Sequence, residues 1–287
     1  MHNSSYTVNI MTVQKMENSY INMDTTDYLL HFSFKGTDFR GWQRQVKGRT
    51  VQEILENILQ RITGEPDLYL NGCSRTDAGV HALNMFASFR TSARINQEDL
   101  FRNLQKQCPH DIAICSLQRI PSGFHLQNSI CGKSYVYAVY LGSYSLFLRD
   151  SCWSWPEKDL NLALVQQALT ALEGTHDFRN FGGTTNGVRS TVRTLYHCRT
   201  ICFGSVLCFY FSGNGFLHKM LRRIVACLHE LAVGNMSLED FRCMVDHPET
   251  DQFNDLMAPP HGLYLKNVFF QLGEIQNDTL EFPPFFR

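Results

Sequence analysis

The chain has 287 residues, with 26 Lys plus Arg against 27 Asp plus Glu, so its formal net charge is −1. Hydrophobic residues make up 44% of the chain and charged residues 18%, which excludes a disordered protein, and no apolar stretch is long enough to cross a bilayer. The balanced charge excludes a protein that holds nucleic acid by overall charge, so a polyanion site requires local clustering. At this length, two subdomains or one composite fold are expected.

Ten cysteines are spread along the chain. None of them form a CxxC pair, and no Cys and His residues have the spacing of a zinc finger or ribbon, so we predict no metal site. The cysteine content is far below that of a disulfide scaffold, and the N-terminus carries no secretory signal. These patterns predict reduced thiols packed as small hydrophobic side chains inside a cell, in either the cytosol or the mitochondrion.

The first predicted elements follow a polar segment. Residues 1–26 are rich in Asn, Ser and Thr, and we expect them to form a disordered tail. Apolar side chains then alternate over residues 28–34, which predicts a strand. Thr50 and Glu53 have the spacing of a capping box, and the apolar residues after them recur at helical spacing, which predicts a helix that ends at Gly64.

The middle of the chain alternates between extended and helical patterns around a turn-rich block. Extended segments are predicted at residues 68–70, 84–90, 111–118 and 133–141, and a helix at 97–105.

The second half repeats this alternation. Asp159 is the predicted cap of a helix, and segments 191–202 and 206–212 are predicted to pair as strands. Residues 216–233 are predicted to form a long helix and residues 263–270 a last strand. Because strands adjacent in sequence are intermixed with helices, the pattern favours an α+β fold with mostly antiparallel pairing.

The order of these elements predicts four parts. A disordered tail occupies residues 1–26, and an N-terminal half that carries the catalytic block occupies 27–148. A C-terminal half occupies 149–272, and an irregular tail occupies 273–287.

Basic residues form two clusters despite the balanced net charge. The first is interleaved with Phe39 and Trp42 and consists of Lys35, Arg40, Arg44, Lys47 and Arg49. The second lies beside His218 and consists of Lys219, Arg222 and Arg223. Basic groups mixed with aromatic rings are typical of a groove that binds phosphates and stacks bases. The alternative is a solvated loop with scattered charge, which the first cluster alone favours.

Residues 74–82, SRTDAGVHA, are the most informative stretch. Gly72 and Gly79 allow unusual backbone angles on either side, and Asp77 lies between small residues that leave its carboxylate accessible. An isolated Asp in such a turn commonly accepts hydrogen bonds from its own backbone, so a purely structural role is the alternative.

The block SRTDAGVHA resembles the catalytic block of the TruA-type tRNA pseudouridine synthases. Further segments resemble the motifs of this family in the same order, and together the matches span residues 27–270. They are FKGTDFRGWQRQ (34–45), TVQEILENIL (50–59), GFHLQNS (123–129), KSYVYAVY (133–140), GTHDFRNF (174–181), VRTL (192–195), NGFLHKMLRRIV (214–225) and APPHGLYL (258–265). Ser74 stands where bacterial members usually have Gly, which is similar to the organellar branch of the family.

The resemblance implies a fold and an activity. It implies a pseudouridine synthase fold, in which two similar halves join their mostly antiparallel sheets across a basic cleft with Asp77 at its floor. It also implies a homodimeric isomerase that converts uridine to pseudouridine in the anticodon stem-loop of tRNA, at positions 38–40. No cofactor is expected, because the reaction oxidises nothing and transfers no group from outside.

The resemblance also assigns roles to residues. Asp77 is the catalytic carboxylate, which either attacks C1′ of the sugar or removes a sugar proton to give a glycal, and both routes stay open. Arg222 is its partner, and Tyr135 stacks on the flipped uracil and assists proton removal. Leu263 either forms a wall of the base pocket or packs in the core. The other candidate substrate-binding residues, from the basic clusters and the catalytic block, are Arg40, Arg44, Arg75, Thr76, Lys219 and Arg223.

Three histidines, His81, His125 and His218, are interpreted as hydrogen-bonded structural residues, since the chemistry already has its carboxylate. One segment departs from the family, because this chain has Leu-Gln at residues 126–127, where Ala-Arg is common. Lys133 is a candidate to replace the missing cation.

Two other functions remain as alternatives. A non-catalytic RNA-binding or tRNA-folding module has no need to keep Asp77, Tyr135 and Arg222 together. A hydrolase of nucleosides needs a second carboxylate in a comparable motif, and the sequence contains none.

Overall fold

The computed structural model describes residues 25–182, 189–248 and 255–278. Most of the predicted tail at residues 1–26 and most of the predicted tail at 273–287 therefore lie outside the described residues. Within the described ranges, every helix falls short of the length and hydropathy that a membrane crossing requires.

Strands and helices alternate along the described chain. The strands are β1 (Thr26–Phe34), β2 (Asn71–Gly72), β3 (His81–Thr91), β4 (Ile112–Ile120), β5 (Gly132–Tyr140), β6 (Trp153–Ser154), β7 (Gly174–Asp177), β8 (Val192–Phe203), β9 (Val206–Gly213) and β10 (Leu263–Phe269). The helices are α1 (Val51–Thr63), α2 (Gln97–Gln107), α3 (Leu162–Leu172), α4 (Met220–Ala232), α5 (Leu238–Asp246) and α6 (Leu272–Gln276).

These strands form a single sheet in the order β4-β1-β3-β10-β5-β9-β8-β7, with β2 paired to β3 and β6 paired to β5. The pairs are antiparallel except for β10 with β3 and β5 with β6. The predicted α+β fold with mostly antiparallel strands is confirmed, as is the predicted pairing of β8 with β9.

The last strand, β10, lies between two strands from the first half of the chain. Leu263 pairs with Tyr137 of β5, and Tyr264 pairs with His81 of β3. The predicted boundary between the halves at residue 148 stays a prediction, but β10 shares its sheet neighbours with the first half. This insertion brings the loop before β3, the strand β5 and the end of the chain together at one place.

Strand β5 is buried on both faces, as its large side chains predict. Tyr135, Tyr137 and Val139 pack into the larger of two hydrophobic clusters, and Val136 and Ala138 pack into the smaller one on the opposite face. The central position of β5 in the sheet explains why both faces are apolar.

The helices form groups at the two ends of the sheet. Helix α1 contacts α2, and α2 packs on β4, whereas α3, α4 and α5 contact one another and α3 packs on β8. The short helix α6 contacts β5 and β10 near the middle of the sheet.

Several boundary predictions are wrong. The capping box at Thr50 does not form, because the Thr50 side chain makes no cap hydrogen bond. Residues 68–70 are not a strand, and only the following two residues pair with β3. The side chain of Asn161, not that of Asp159, caps α3 by accepting from Leu164 N.

Two larger differences lie near the end of the chain. The helix predicted at 216–233 begins only at Met220, because Lys219 adopts a left-handed backbone conformation with φ of +62°. The predicted irregular tail from residue 273 is wrong for residues 273–276, which belong to α6.

Candidate active site

The loop between β2 and β3 contains Asp77 and is held by the segment that follows β1. Trp42 N donates to Thr76 O at 3.2 Å, and Gly79 N donates to Phe39 O at 3.1 Å. These hydrogen bonds fix the backbone on both sides of the carboxylate.

Two glycines allow this close approach. A Cβ on Gly36 would overlap the backbone of Val80, and a Cβ on Gly41 would overlap the backbone of Thr76. Gly41 also has a φ of +89°, which residues with a side chain rarely adopt. The glycines of the 34–45 motif are therefore needed to shape the loop that carries Asp77.

His81 fixes the end of this loop. Its Nδ1 accepts from Gly36 N at 2.9 Å, and its Nε2 donates to His261 O at 3.0 Å. Burial lowers the pKa of His81 to about 4, so the ring is neutral at pH 7. The prediction that His81 has a structural role is confirmed by these contacts.

A cavity of about 900 Å³ opens where this loop faces the start of α4, β5 and β10. Most of the predicted site residues line it, namely Arg40, Arg75, Thr76, Asp77, Tyr135, Lys219, Arg222 and Leu263. Arg44 and Arg223 are not among its described lining residues, so the structure does not place these two in the site.

Asp77 and Arg222 meet at the wall of this cavity. Arg222 Nη1 donates to Asp77 Oδ2 at 3.3 Å, and the two side chains are 13% and 21% exposed, respectively. Arg222 Nε also donates to Ala258 O at 2.8 Å, and Ala258 N donates to Arg222 O at 3.1 Å. Arg222 is thus held in place through both its backbone and its side chain before any substrate enters.

His218 is a site residue that the sequence interpretation missed. Its Nε2 lies 3.3 Å from Asp77 Oδ1, so the two carboxylate oxygens have different partners. His218 is interpreted from the sequence as a hydrogen-bonded structural residue; it does contact a partner, but that partner is Asp77, and about half of the His218 side chain is exposed where it lines the cavity. On a helical projection His218 lies next to Arg222, and this adjacency indicates that His218 belongs to the same site, although His218 itself precedes α4.

The turn before α4 explains this placement. Among the residues that the structure describes, Lys219 is the one non-glycine residue with a positive φ, at +62°. Such backbone conformations cost about 1–3 kcal/mol and cluster at functional sites. The left-handed residue separates the loop that contains His218 from α4, and His218 and Lys219 both line the cavity.

Tyr135 forms part of the buried wall of the cavity. Its hydroxyl lies 3.1 Å from Ser74 Oγ, and its ring packs against Phe216 in a T-shaped arrangement at a centroid distance of 5.0 Å. Burial raises the pKa of Tyr135 far above its ordinary value, so its hydroxyl keeps its proton at pH 7. A tyrosinate base is therefore not available in this structure.

The first basic cluster is largely paired with acids. Lys35 Nζ lies 3.9 Å from Asp150, and Arg49 makes two hydrogen bonds to the carboxylate of Asp111. Arg44 Nη1 lies 3.1 Å from Oε2 of the buried Glu56, an ion pair without hydrogen-bond alignment. The prediction that Arg44 binds substrate is therefore not supported by its position.

The aromatic residues of that cluster are core residues. Phe39 and Trp42 are each 3% exposed, and Trp42 stacks on Phe32 at 5.8 Å. They cannot stack on a base, so this segment does not supply the base stacking that a nucleic-acid groove would need. Arg40 does line the cavity, and its stem packs against Gly48.

Further polar residues line the cavity. The hydroxyl of the buried Thr76 has no hydrogen-bond partner among the described residues, and Arg75 is exposed at the rim. Leu263 is 7% exposed, packs in the larger cluster and lines the cavity, so both of its predicted roles are compatible with its position. Gln127 bonds to Asn71 outside the cavity.

The cysteines are free thiols. Burial raises the pKa of Cys108 to about 11 and the pKa of Cys152 and Cys227 to about 12, so these thiols are protonated at pH 7. Over the part of the chain that the structure describes, no group of His, Cys, Asp and Glu residues is arranged to hold a metal ion.

Comparison with known proteins gives one family. A family model described as tRNA pseudouridine synthase matches residues 31–127 and 168–271. The tRNA pseudouridine synthase A of Thermodesulfovibrio yellowstonii is 34% identical over 252 residues, which cover 83% of this chain and 96% of the relative. The protein of the same name from Clostridium botulinum is 35% identical over 84% of this chain and 98% of the relative. That of Lacticaseibacillus casei is 35% identical over 85% of this chain and 100% of the relative.

The matched segments contain most of the candidate site. Asp77 lies in the first segment, and Arg222 and Leu263 lie in the second, whereas Tyr135 lies between the two. The cavity is therefore built mainly from parts of the chain that the family model covers.

Proposed function

Because the chain belongs to the tRNA pseudouridine synthase family, we propose that this isomerase converts uridine to pseudouridine in the anticodon stem-loop of tRNA, with Asp77 as its catalytic group. The reaction breaks the N1–C1′ bond, turns the uracil within the site and joins C5 to C1′. It needs an ionised carboxylate beside the sugar, a site for an extruded base and a path for the C5 proton.

One observation carries this proposal: Asp77 and Arg222 pair at the wall of a cavity of about 900 Å³. An aspartate that only stabilised its own turn would have no need of a guanidinium delivered from α4. The fixed Arg222 leaves the carboxylate little freedom to reorient, which favours reaction with a sugar held in one position. Attack at C1′ and removal of a sugar proton both remain compatible with this arrangement.

The two partners of Asp77 have unequal roles in the proposal. Arg222 is largely buried and fixed by Ala258, so it orients Oδ2. His218 is half exposed beside Oδ1, so it is the partner that a substrate can displace. We assign Oδ1 as the oxygen that faces the sugar.

Tyr135 and Leu263 would hold the base. The phenol ring is buried against Phe216, and Leu263 lines the same cavity, so a uracil entering beside Asp77 would meet two apolar surfaces. Extruding the uridine from its stack costs a few kcal/mol, which contacts to the rest of the tRNA must offset.

Arg40, Arg75 and Lys219 would contact RNA phosphates around the cavity. In the proposal the protein acts as a homodimer, as the resemblance implies, in a compartment that keeps its ten free thiols reduced.

The experiment is pseudouridine mapping of total tRNA from cells with and without the protein, followed by incubation of the unmodified tRNA with the purified protein. We expect pseudouridine to be lost at anticodon stem-loop positions and restored by the protein. A non-catalytic tRNA-binding protein would leave the map unchanged and restore nothing. Loss of pseudouridine at other tRNA positions would support the isomerase activity but refute the anticodon stem-loop as its target.

A further inference from the structure

The Tyr135 hydroxyl stands at the end of a short chain of polar groups. Ser74 Oγ lies 3.1 Å from the Tyr135 hydroxyl, and Lys133 Nζ lies 3.3 Å from the same Ser74 Oγ. All three side chains line the cavity that contains Asp77. A hydroxyl can donate one hydrogen bond and accept two, so Ser74 can link both neighbours at once.

Two separate elements build this chain of groups. Lys133 and Tyr135 are two residues apart on β5 and therefore lie on the same face of the strand. Ser74 comes from the loop that carries Asp77, and it is 7% exposed. The serine therefore connects the strand to the catalytic loop inside the protein.

Burial disfavours the charged form of each of the two end groups. Burial raises the pKa of Tyr135 and lowers the pKa of Lys133. Among the described residues, no carboxylate lies within 4.0 Å of Lys133 Nζ to stabilise an ammonium ion. The neighbouring Cys73 is fully buried, and burial raises the pKa of its thiol, so it supplies no anion either.

We propose that Ser74 and Lys133 carry the C5 proton of the uracil away from Tyr135, an inference that rests on the proposed function. Tyr135 is the group that touches the base, and the other two act through it. Because Tyr135 gives up its own proton as it accepts the one from C5, it never has to become a tyrosinate in a buried site. This resolves how a protonated tyrosine can assist proton removal.

The transfer is balanced in atoms and electrons. After C5 has joined C1′, the C5–H bond breaks, and its electron pair forms the C5=C6 double bond. The C6=N1 pair moves to N1, which takes a proton from water. The C5 proton passes to the Tyr135 oxygen, the Tyr135 proton to Ser74 Oγ, and the Ser74 proton to the lone pair of Lys133 Nζ. Lys133 then releases a proton to solvent through the cavity.

Other groups at the cavity are less suited to this step. Asp77 is engaged by Arg222 and His218 and is required at the sugar. His218 contacts the Asp77 carboxylate, and half of its side chain is exposed. Tyr135 instead packs against Phe216 in the buried wall of the cavity. The Tyr135–Ser74–Lys133 chain has a hydrogen-bond contact for each of the two transfers between its own side chains.

The test compares single-turnover rates on tRNA that carries protium or deuterium at C5 of the target uridines. We expect Ser74→Ala to slow turnover about 10- to 100-fold and to raise the primary isotope effect above that of the wild-type protein, because loss of the C5 proton becomes limiting. Ser74→Thr keeps the hydroxyl and should restore most of the rate. A tRNA-binding isotherm for each variant shows that the protein is folded.

Lys133 is tested with a matched pair. Lys133→Arg keeps hydrogen-bond donors but is a permanent cation with no lone pair to accept a proton. We therefore expect Lys133→Arg to be as slow as Lys133→Gln, with the same rise in the isotope effect. If Lys133→Arg turned over at the wild-type rate, the lysine would only be a positioning cation and the proposal would be wrong.

Two outcomes separate the relay from the proposed function. A Ser74→Ala protein with a wild-type rate, or with a lower rate and an unchanged isotope effect, overturns the relay while the enzyme remains a synthase. A wild-type protein that releases no C5 hydrogen from tRNA overturns the proposed function itself.

Discussion

Arg222 Nη1 lies 3.3 Å from Asp77 Oδ2, although 145 residues separate them in the chain. The pair joins the loop before β3 to the start of α4, and Ala258, just ahead of β10, holds the guanidinium in place. Three distant segments thus converge on one carboxylate.

The Arg222–Asp77 pair predicts the effect of losing the guanidinium. Arg222→Ala should reduce the single-turnover rate about 100-fold, since a misplacement of about 1 Å has that effect on a positioned group. Arg222→Lys should be intermediate, because one ammonium replaces the two guanidinium nitrogens that contact Ala258 O and Asp77. The check is the single-turnover rate together with tRNA affinity, which should change little. A rate within twofold of wild type for Arg222→Ala would contradict this role.

His218 provides a contrasting case on the same carboxylate. His218→Ala should reduce the rate by no more than about fivefold, because a half-exposed polar contact of this kind contributes at most about 1 kcal/mol. The same single-turnover assay measures this effect. A loss as large as that of Arg222→Ala would show that His218 takes part directly in the chemistry.

Arg40 and Arg44 form a matched pair for RNA binding. Arg40 lines the cavity, whereas Arg44 lies on the buried Glu56, so only Arg40→Ala should remove a phosphate contact. We expect Arg40→Ala to lower tRNA affinity and to reduce the slope of log K against log salt by about one. Arg44→Ala should leave that slope unchanged and reduce stability instead. Equal slopes for the two variants would contradict the assignment.

His81 predicts a pH dependence of stability. Its pKa is lowered from 6.5 to about 4 in the folded protein, so the unfolded chain binds the proton more tightly between these values. Stability is therefore full above pH 6.5 and is lost as the pH falls toward 4, by about 3 kcal/mol from this residue.

The measurement is denaturant unfolding at several pH values between 5 and 7. The pKa values of His31 and His261 are also lowered by burial, so the comparison must be made with His81→Asn. We expect the variant to lose less stability per pH unit than the wild type does. Parallel pH profiles would show that His81 is not the neutral anchor of the loop.

Much of the fold could be predicted from sequence because local patterns coincide with the final environment. The apolar residues of β1 and β5 predicted strands in the correct places, and both strands have runs of consecutive buried residues because both of their faces are covered. Boundaries were wrong where tertiary structure decides. Nothing local in residues 216–219 shows that Lys219 adopts φ of +62° and delays α4.

The candidate site was only partly predictable. The motif gave Asp77, and order along the chain gave Arg222, but the role of His218 depends on a turn that local sequence does not reveal. Arg44 was assigned to RNA by charge alone, and only the structure shows that Glu56 lies beneath it. The link from Ser74 to Lys133 joins residues 59 positions apart, so it has no sequence signal.

The most direct test of the account is Asp77→Asn, which preserves the shape of the side chain and removes the carboxylate. We predict that release of the C5 hydrogen from labelled tRNA vanishes, while the binding isotherm and the unfolding midpoint stay close to those of the wild type, because phosphate contacts elsewhere dominate binding. If Asp77 only capped its turn, Asn would replace it about equally well. An Asp77→Asn protein that released the label at near the wild-type rate would contradict the synthase mechanism proposed for this chain.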